Sequence, residues 1–100
     1  MNFSFNPEAE TEFFEAIEYF ESCEEGLGLD FSRQIYNAIR RITQFPYSGT
    51  PIDENLRRCL VKRFRYGLIY EVFDDEIFIQ VVMHLNRDPE YWKSRVNTDR

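Results

Sequence analysis

The sequence predicts an α+β fold: an N-terminal antiparallel helix hairpin packed on a twisted antiparallel sheet of about four strands, with a short C-terminal helix. Two observations carry this. Residues 7–45 place apolar side chains at helical spacing in two segments, separated by Gly26-Leu27-Gly28. Residues 56–84 then switch to runs rich in branched and aromatic side chains. The 100 residues suit one domain, 1–100, and their 43% apolar content can build a core without disulfide staples.

Phe3-Ser4-Phe5 alternates and reads as a short edge strand. Asn6-Pro7 starts the first helix, because Asn caps and Pro is pre-set for the first helical position. Ala9, Phe13, Ala16/Ile17, Phe20 and Cys23 form its apolar stripe, with glutamates mostly between them. Gly26 and Gly28 end it. Asp30 or Ser32 caps the second helix, whose stripe is Phe31, Ile35, Ala38/Ile39, Ile42 and Phe45. Arg40 and Arg41 lie near its C-terminus, where cations suit the dipole. Phe45–Pro51 is a loop on composition.

Three strands follow: Leu56–Arg63, Tyr66–Phe73 and Ile77–His84. Asp74-Asp75 is a two-residue turn, which pairs residue 73 with 76 and 69 with 80. The core face then receives Tyr66, Leu68, Tyr70, Val72, Ile77, Ile79, Val81 and Met83. A tight turn at Phe64-Arg65 turns Cys59 and Val61 inward and Arg58, Leu60 and Lys62 outward, with Arg58 across from Glu71. The outer face is expected to be open, carrying Arg58, Lys62, Glu71, Gln80 and His84 over Leu60, Ile69, Phe78 and Val82. Asp88-Pro89 starts a terminal helix bearing Tyr91, Trp92 and Arg95. Residues 97–100 are expected to fray.

Charge is segregated along the chain. Residues 1–30 carry −9, residues 31–70 carry +6 and residues 71–100 carry −3, for a net −6. A polyanion therefore has only the middle segment to bind. Cys23 and Cys59 read as reduced thiols in or near the core, and neither has a neighbour at metal-ligand spacing. No cofactor or metal site is expected. No apolar run approaches the roughly 20 residues that span a bilayer. The start lacks a basic, apolar leader, so the chain reads as soluble and cytoplasmic, without a membrane partner.

Taken in order, the helix hairpin, the segment Arg57-Arg58-Cys59-Leu60-Val61-Lys62-Arg63-Phe64-Arg65-Tyr66-Gly67-Leu68-Ile69-Tyr70, the strand to His84, and Arg87-Asp88-Pro89-Glu90-Tyr91-Trp92 form a pattern. This pattern resembles the RelE/ParE superfamily of toxins from bacterial type II toxin–antitoxin modules. It is most like the plasmid-stabilisation group, whose members often read RRxLVxRFPYxIxY and later HxxRxPxYW. Arg65 stands where that group usually has proline. The resemblance implies growth inhibition, a cognate antitoxin that wraps the toxin, and a toxin–antitoxin hetero-oligomer. RelE-like members cut mRNA on the ribosome, ParE-like members inhibit DNA gyrase, and some members show no toxicity.

RNA cleavage through a 2′-hydroxyl needs a base, an acid and cations on the phosphate. Glu71 or His84 would be the base, His84 the acid, and Arg58, Lys62 and Arg87 the clamp. The plainer reading of His84 is a strand-end residue bonded to a backbone carbonyl, and of Glu71 an ion pair with Arg58. Partner binding asks for less: Arg57, Arg58, Lys62, Arg63 and Arg65 as a basic rim, with Tyr91 and Trp92 as aromatic contacts. A ParE-like action on a protein target such as gyrase is the leading expectation. A ribosome-dependent mRNA endonuclease and a non-toxic partner-binding domain are the alternatives.

Overall fold

The computed structural model describes residues 1–97. The expected fraying of residues 98–100 lies outside the described residues. The elements run β1 (Asn2–Phe5), α1 (Pro7–Cys23), α2 (Leu27–Gln44), β2 (Thr50–Pro51), β3 (Leu56–Val61), a 3-10 turn at Arg63–Arg65, β4 (Tyr66–Phe73), β5 (Glu76–His84) and α3 (Lys93–Asn97). The sheet order is β1-β5-β4-β3-β2. The α+β class, the helix hairpin and the short terminal helix match the sequence reading. The described strands are five, not about four, because Thr50–Pro51 pairs with Arg57 and Arg58. The sheet is antiparallel except at its β1 edge, where β1 runs parallel to β5.

The first helix begins where the sequence places it. The Asn6 side chain accepts a hydrogen bond from the Glu8 amide at 2.9 Å, and Pro7 takes the first helical position. The second begins earlier than expected, at Leu27 rather than after Asp30 or Ser32. Gly26 makes the turn with φ 86°, which an L side chain resists. The Glu21 carboxylate then accepts from the amides of Gly26 and Gly28 at 2.9 and 3.0 Å, so the cap comes from the preceding helix. Gly28 is therefore inside α2, not a terminator. A Cβ there would lie 2.7 Å from the Ile17 carbonyl oxygen, so its absence sets how closely the helices cross. Cys23, placed on the apolar stripe by spacing, is exposed, whereas Cys59 is buried.

The helix-facing core joins Ala9, Phe13 and Ala16 to Phe31, Ile35, Ala38, Ile39 and Ile42, over Leu68, Tyr70, Ile77 and Ile79. Tyr70 is fully buried. Its hydroxyl donates to the Pro46 carbonyl at 2.8 Å and accepts from the Gly49 amide at 3.0 Å, which pins the 45–50 loop.

Two register details differ from expectation. The β3–β4 connection consumes four residues, so Val61 pairs with Tyr66 and Arg58 with Ile69. Leu56, not Arg58, therefore lies across from Glu71. The cause is Phe64, which adopts φ 74° and turns its ring onto Phe20 and Phe31 at 4.8 and 5.4 Å. Arg65 follows at φ 56°, a value closed to the proline that the similar group carries here.

The second difference is a bulge. The β4–β5 pairing follows expectation from Phe73↔Glu76 to Tyr70↔Ile79, then skips Gln80, so that Ile69 meets Val81 and Leu68 meets Val82. Every side chain after Gln80 changes face. Val82 joins the helix-facing core, whereas Val81 and Ile69 pack with Leu56, Trp92 and Val96 in a second core. The outer face around Leu56, Ile69 and Val81 is thus covered by the C-terminal segment, whereas Arg58 and Leu60 of that face stay exposed. Within that segment Tyr91 and Trp92 lie on turns that precede α3, and Arg95 lies in it.

Gly28→Ala tests the helix crossing. Helix propensity alone would stabilise this change by up to about 1 kcal/mol, whereas overpacking costs about 1–3 kcal/mol. Denaturant unfolding is expected to show net destabilisation; a more stable variant would mean the helices do not meet there.

Candidate functional site

At nine residues β5 outruns the four-residue β1, so its far half has no strand on that side. The bulge leaves the Gln80 carbonyl and Val82 amide pointing to this gap. Two side chains close it. Glu12, on the α1 face one turn from Ala9 and Ala16, accepts from the Val82 amide at 3.0 Å. Arg95 donates to the Gln80 carbonyl at 2.8 Å. The two then pair, with Arg95 Nη1 and Nη2 at 3.1 and 2.9 Å from the Glu12 oxygens. Tyr91 Oη donates to the same carboxylate, and Glu8 meets Arg95 Nε at 3.2 Å. The Glu12 and Arg95 side chains are only 12% and 6% exposed. Burial alone lowers the Arg95 pKa, but the hydrogen bond and charge of Glu12 outweigh it and the net direction is up.

This network forms one wall of a cleft of about 210 Å³. Glu15 and Tyr19 line it from α1, Tyr66 and His84 from the sheet, and Arg87 and Tyr91 from the C-terminal segment. The Arg87 guanidinium lies 4.0 Å from the Tyr91 ring centroid. His84 meets the Tyr66 ring edge-on, with centroids 5.5 Å apart. The Asn86 amide donates to His84 Nδ1 at 3.1 Å, so a neutral His84 carries its proton on Nε2. Burial pushes the Tyr66 phenol above its usual range, with Arg87 opposing. Burial also raises Tyr91, and the Glu12 hydrogen bond adds to it. Chemically, the cleft offers one imidazole, one stacked cation and two carboxylates.

Of the residues expected from sequence, this cleft gathers His84 and Arg87. Arg58 is on the other face of the sheet, beside Ile69 and against Gly67, while His84 shares the helix side with Tyr66. Lys62 is exposed just before the 3-10 turn. Glu71 accepts from Gln80 Nε2 at 3.2 Å. Gln80 Oε1 in turn accepts from Asn6 Nδ2 at 2.9 Å, linking the bulge to the α1 cap.

The partner-binding set divides in a similar way. Arg57 donates to the Tyr47 and Gly49 carbonyls at 2.9 and 2.8 Å, so it holds the 45–50 loop. Arg63 pairs with Asp30 at 3.3 Å on the surface. Arg58, Lys62 and Arg65 are exposed. Beside Arg58, Leu60 is 45% and Phe45 65% exposed, at a groove that Arg41 also lines. Trp92 is 5% exposed and belongs to the second core, so its ring face is not available to a partner.

Sequence reasoning passed over Glu12, Tyr66 and Arg95 as site residues. By composition Glu12 is one of several glutamates that fall between the apolar positions of α1. Its spacing from Ala9 and Ala16, the inward side of α1, is the signal that separates it from Glu10 or Glu18. Among the described residues no group of three or more His, Cys, Asp or Glu side chains is placed to hold a metal ion. No described helix is long and apolar enough to cross a membrane.

A family model described as the ParE toxin of the type II toxin-antitoxin system parDE matches residues 3–89. No curated protein matches the chain.

Glu12→Ala leaves Arg95 without its main partner and is expected to cost about 3–5 kcal/mol. Glu12→Gln keeps an acceptor for Val82 and should cost less in the same unfolding assay. The raised phenols give a pH dependence. Below about pH 10, the unfolded tyrosine value, their contribution is fully present. As pH rises through the folded values the unfolded state has already released its protons, so stability falls. Thermal unfolding should show this alkaline loss, reduced in Tyr66→Phe and Tyr91→Phe. Uniform titration of all six tyrosines near 10 in folded protein would contradict it.

Proposed function

This chain belongs to the ParE toxin family of type II toxin–antitoxin systems, and on that premise we propose that it inhibits growth by binding a protein target, with DNA gyrase as the leading candidate. Its cytoplasmic location and a role in plasmid stabilisation belong to the same proposal. The observation that supports protein binding over RNA cleavage is the separation of His84 from Arg58 by the sheet. Cleavage requires acid, base and phosphate clamp within hydrogen-bond reach of one phosphodiester. The cleft holds His84, two carboxylates and Arg87 as its cation, but Arg58, the other arginine of the expected clamp, serves the opposite side of the sheet.

The exposed strip of Arg58, Lys62 and Arg65, beside Leu60 and Phe45, suits a protein surface. Rim cations steer an acidic partner segment and set its orientation. The apolar side chains supply area that exposed charges do not. A type II system pairs a toxin with an antitoxin, and we place the antitoxin's docking on this strip, forming a toxin–antitoxin hetero-oligomer. On this reading Arg58 meets an acidic antitoxin segment, and Arg57 acts by holding the loop next to it.

Expression without antitoxin tests the proposal. The expected result is loss of gyrase supercoiling with transcripts intact, and retention of the inhibition in His84→Ala. Arg58→Glu should weaken antitoxin binding by about tenfold or more, read by titration calorimetry. Transcripts cut on the ribosome, with loss of cutting in His84→Ala, would replace this reading by an mRNA endonuclease. Normal growth at high expression would leave a non-toxic partner-binding domain.

A further inference from the structure

The loop before β2 is drawn away from the sheet edge. On the helix side of the sheet, Tyr70 Oη holds the Pro46 carbonyl and the Gly49 amide at 2.8 and 3.0 Å. Gly49 permits this approach, since a Cβ there would meet the Tyr70 hydroxyl at 2.5 Å. Strand β2 therefore begins only at Thr50 and pairs with Arg57 and Arg58. Beyond Arg58 the edge of β3 has no neighbouring strand among the described residues.

The direction of the backbone at this edge follows from alternation. The Leu56 carbonyl accepts from the Ile52 amide at 2.9 Å, and the Leu56 amide donates to Asp53 Oδ1 at 2.8 Å. Leu56, Arg58 and Leu60 thus turn their backbone groups to the edge. Arg58 faces Thr50, and Leu60 lies one step past the end of β2. The Leu60 carbonyl meets Arg41 Nη2 at 3.4 Å. Among the described residues the Leu60 amide has no backbone acceptor on that side.

A groove of about 310 Å³ lies along this edge, lined by Arg41, Phe45, Ser48, Thr50, Arg58 and Leu60 among others. Its lining holds two guanidiniums and two hydroxyls, and among the described residues no carboxylate. The Arg41 side chain meets a carbonyl and, at 3.6 Å, the Cys59 thiol. Among the described residues neither Arg41 nor Arg58 forms an ion pair, unlike Arg63 and Arg95. The two cations approach from opposite faces. Arg41 comes from the last turn of α2 on the helix side, with Phe45 just after it. Arg58 comes from β3 on the outer face, with Leu60 two residues on.

On the premise of the antitoxin docking proposed above, we infer that this groove seats one extended acidic segment of the antitoxin along the β3 edge. Successive side chains of an extended chain point to opposite faces. A carboxylate at one position then meets Arg41, and a carboxylate at the next meets Arg58. A backbone carbonyl of the segment accepts from the Leu60 amide, as in strand addition. Apolar residues flanking the acids cover Phe45 and Leu60, which are 65% and 45% exposed. A net charge of −6 opposes a nucleic acid far more than a segment with two acids. Tyr70 and Arg57 already hold the loop, so binding does not have to order it.

Titration calorimetry of the full chain with its cognate antitoxin tests this, with exchange of the Leu60 amide read alongside. Arg41→Gln is expected to weaken binding about tenfold or more, and Arg41→Lys less. Arg40→Gln removes the same charge from a different groove beside α2 and should leave binding unchanged. Circular dichroism checks the fold of each variant. The Leu60 amide should exchange quickly in the chain alone and be protected in the complex. Weaker binding in Arg58→Glu, with Arg41→Gln unaffected and Leu60 still exchanging quickly, would put the antitoxin on the outer strip alone. That result overturns the inference and leaves the docking reading intact. Unchanged affinity in both variants would remove both. Protection of Leu60 by an RNA oligonucleotide and not by the antitoxin would make the occupant a phosphate backbone and overturn the inference as well.

Discussion

The structure depends on one carboxylate. Glu12 sits where β5 has run past the end of β1 and would otherwise show unpaired backbone to solvent and to the apolar flank of α1. A buried carboxylate is costly unless its lone pairs are used and its charge is met. Here an amide, a phenol and a guanidinium use them, and Arg95 closes the circuit by taking the Gln80 carbonyl. One network therefore satisfies the bulge, anchors the C-terminal segment and orients Tyr91 under Arg87. Its specificity comes from completeness, since removing any partner leaves another polar group buried.

The bulge that Glu12 stabilises decides which side chains act together. A regular β5 would have carried His84 to the outer face with Arg58 and made one site of them. Skipping Gln80 sends His84 to the helix side, beside Tyr66 and Arg87, and sends Val81 outward under Trp92. The chain thus has two separate polar regions. One is a narrow cleft with a histidine and a stacked arginine. The other is an open basic strip with Leu60 and Phe45 at its side. This division favours docking on the strip over concerted chemistry across the sheet.

Much of this was legible in the residues themselves. Asn6-Pro7 placed the start of α1 at Pro7, and Ala9, Phe13 and Ala16 are its buried face. Asp74 and Asp75 both take positive φ in the turn that their short polar side chains suggested. The order of the hairpin, the Arg57–Tyr70 segment and the Arg87–Trp92 segment was enough to indicate the family. What escaped depends on tertiary context. Nothing local to Gln80 marks a bulge, because the cause is Glu12, far away in sequence. Phe64 enters a left-handed turn because Phe20 and Phe31 receive its ring, and no turn preference of Lys62–Arg65 announces that. The early start of α2 rests on Glu21 reaching forward from the previous helix, so a search for a local cap at Asp30 or Ser32 missed it. Trp92 is a partner contact by sequence, and only its packing against Leu56, Ile69 and Val81 across the sheet makes it core.

The most direct test of this account is amide hydrogen exchange at Val82. By strand position alone the Val82 amide is an edge group facing away from β4, and it should exchange quickly. If Glu12 closes the bulge as described, the amide is protected to nearly the same degree as core amides of β4 such as that of Leu68, and exchanges only through cooperative opening. Exchange of Val82 at the rate of an exposed edge amide, with β4 still protected, would contradict the account.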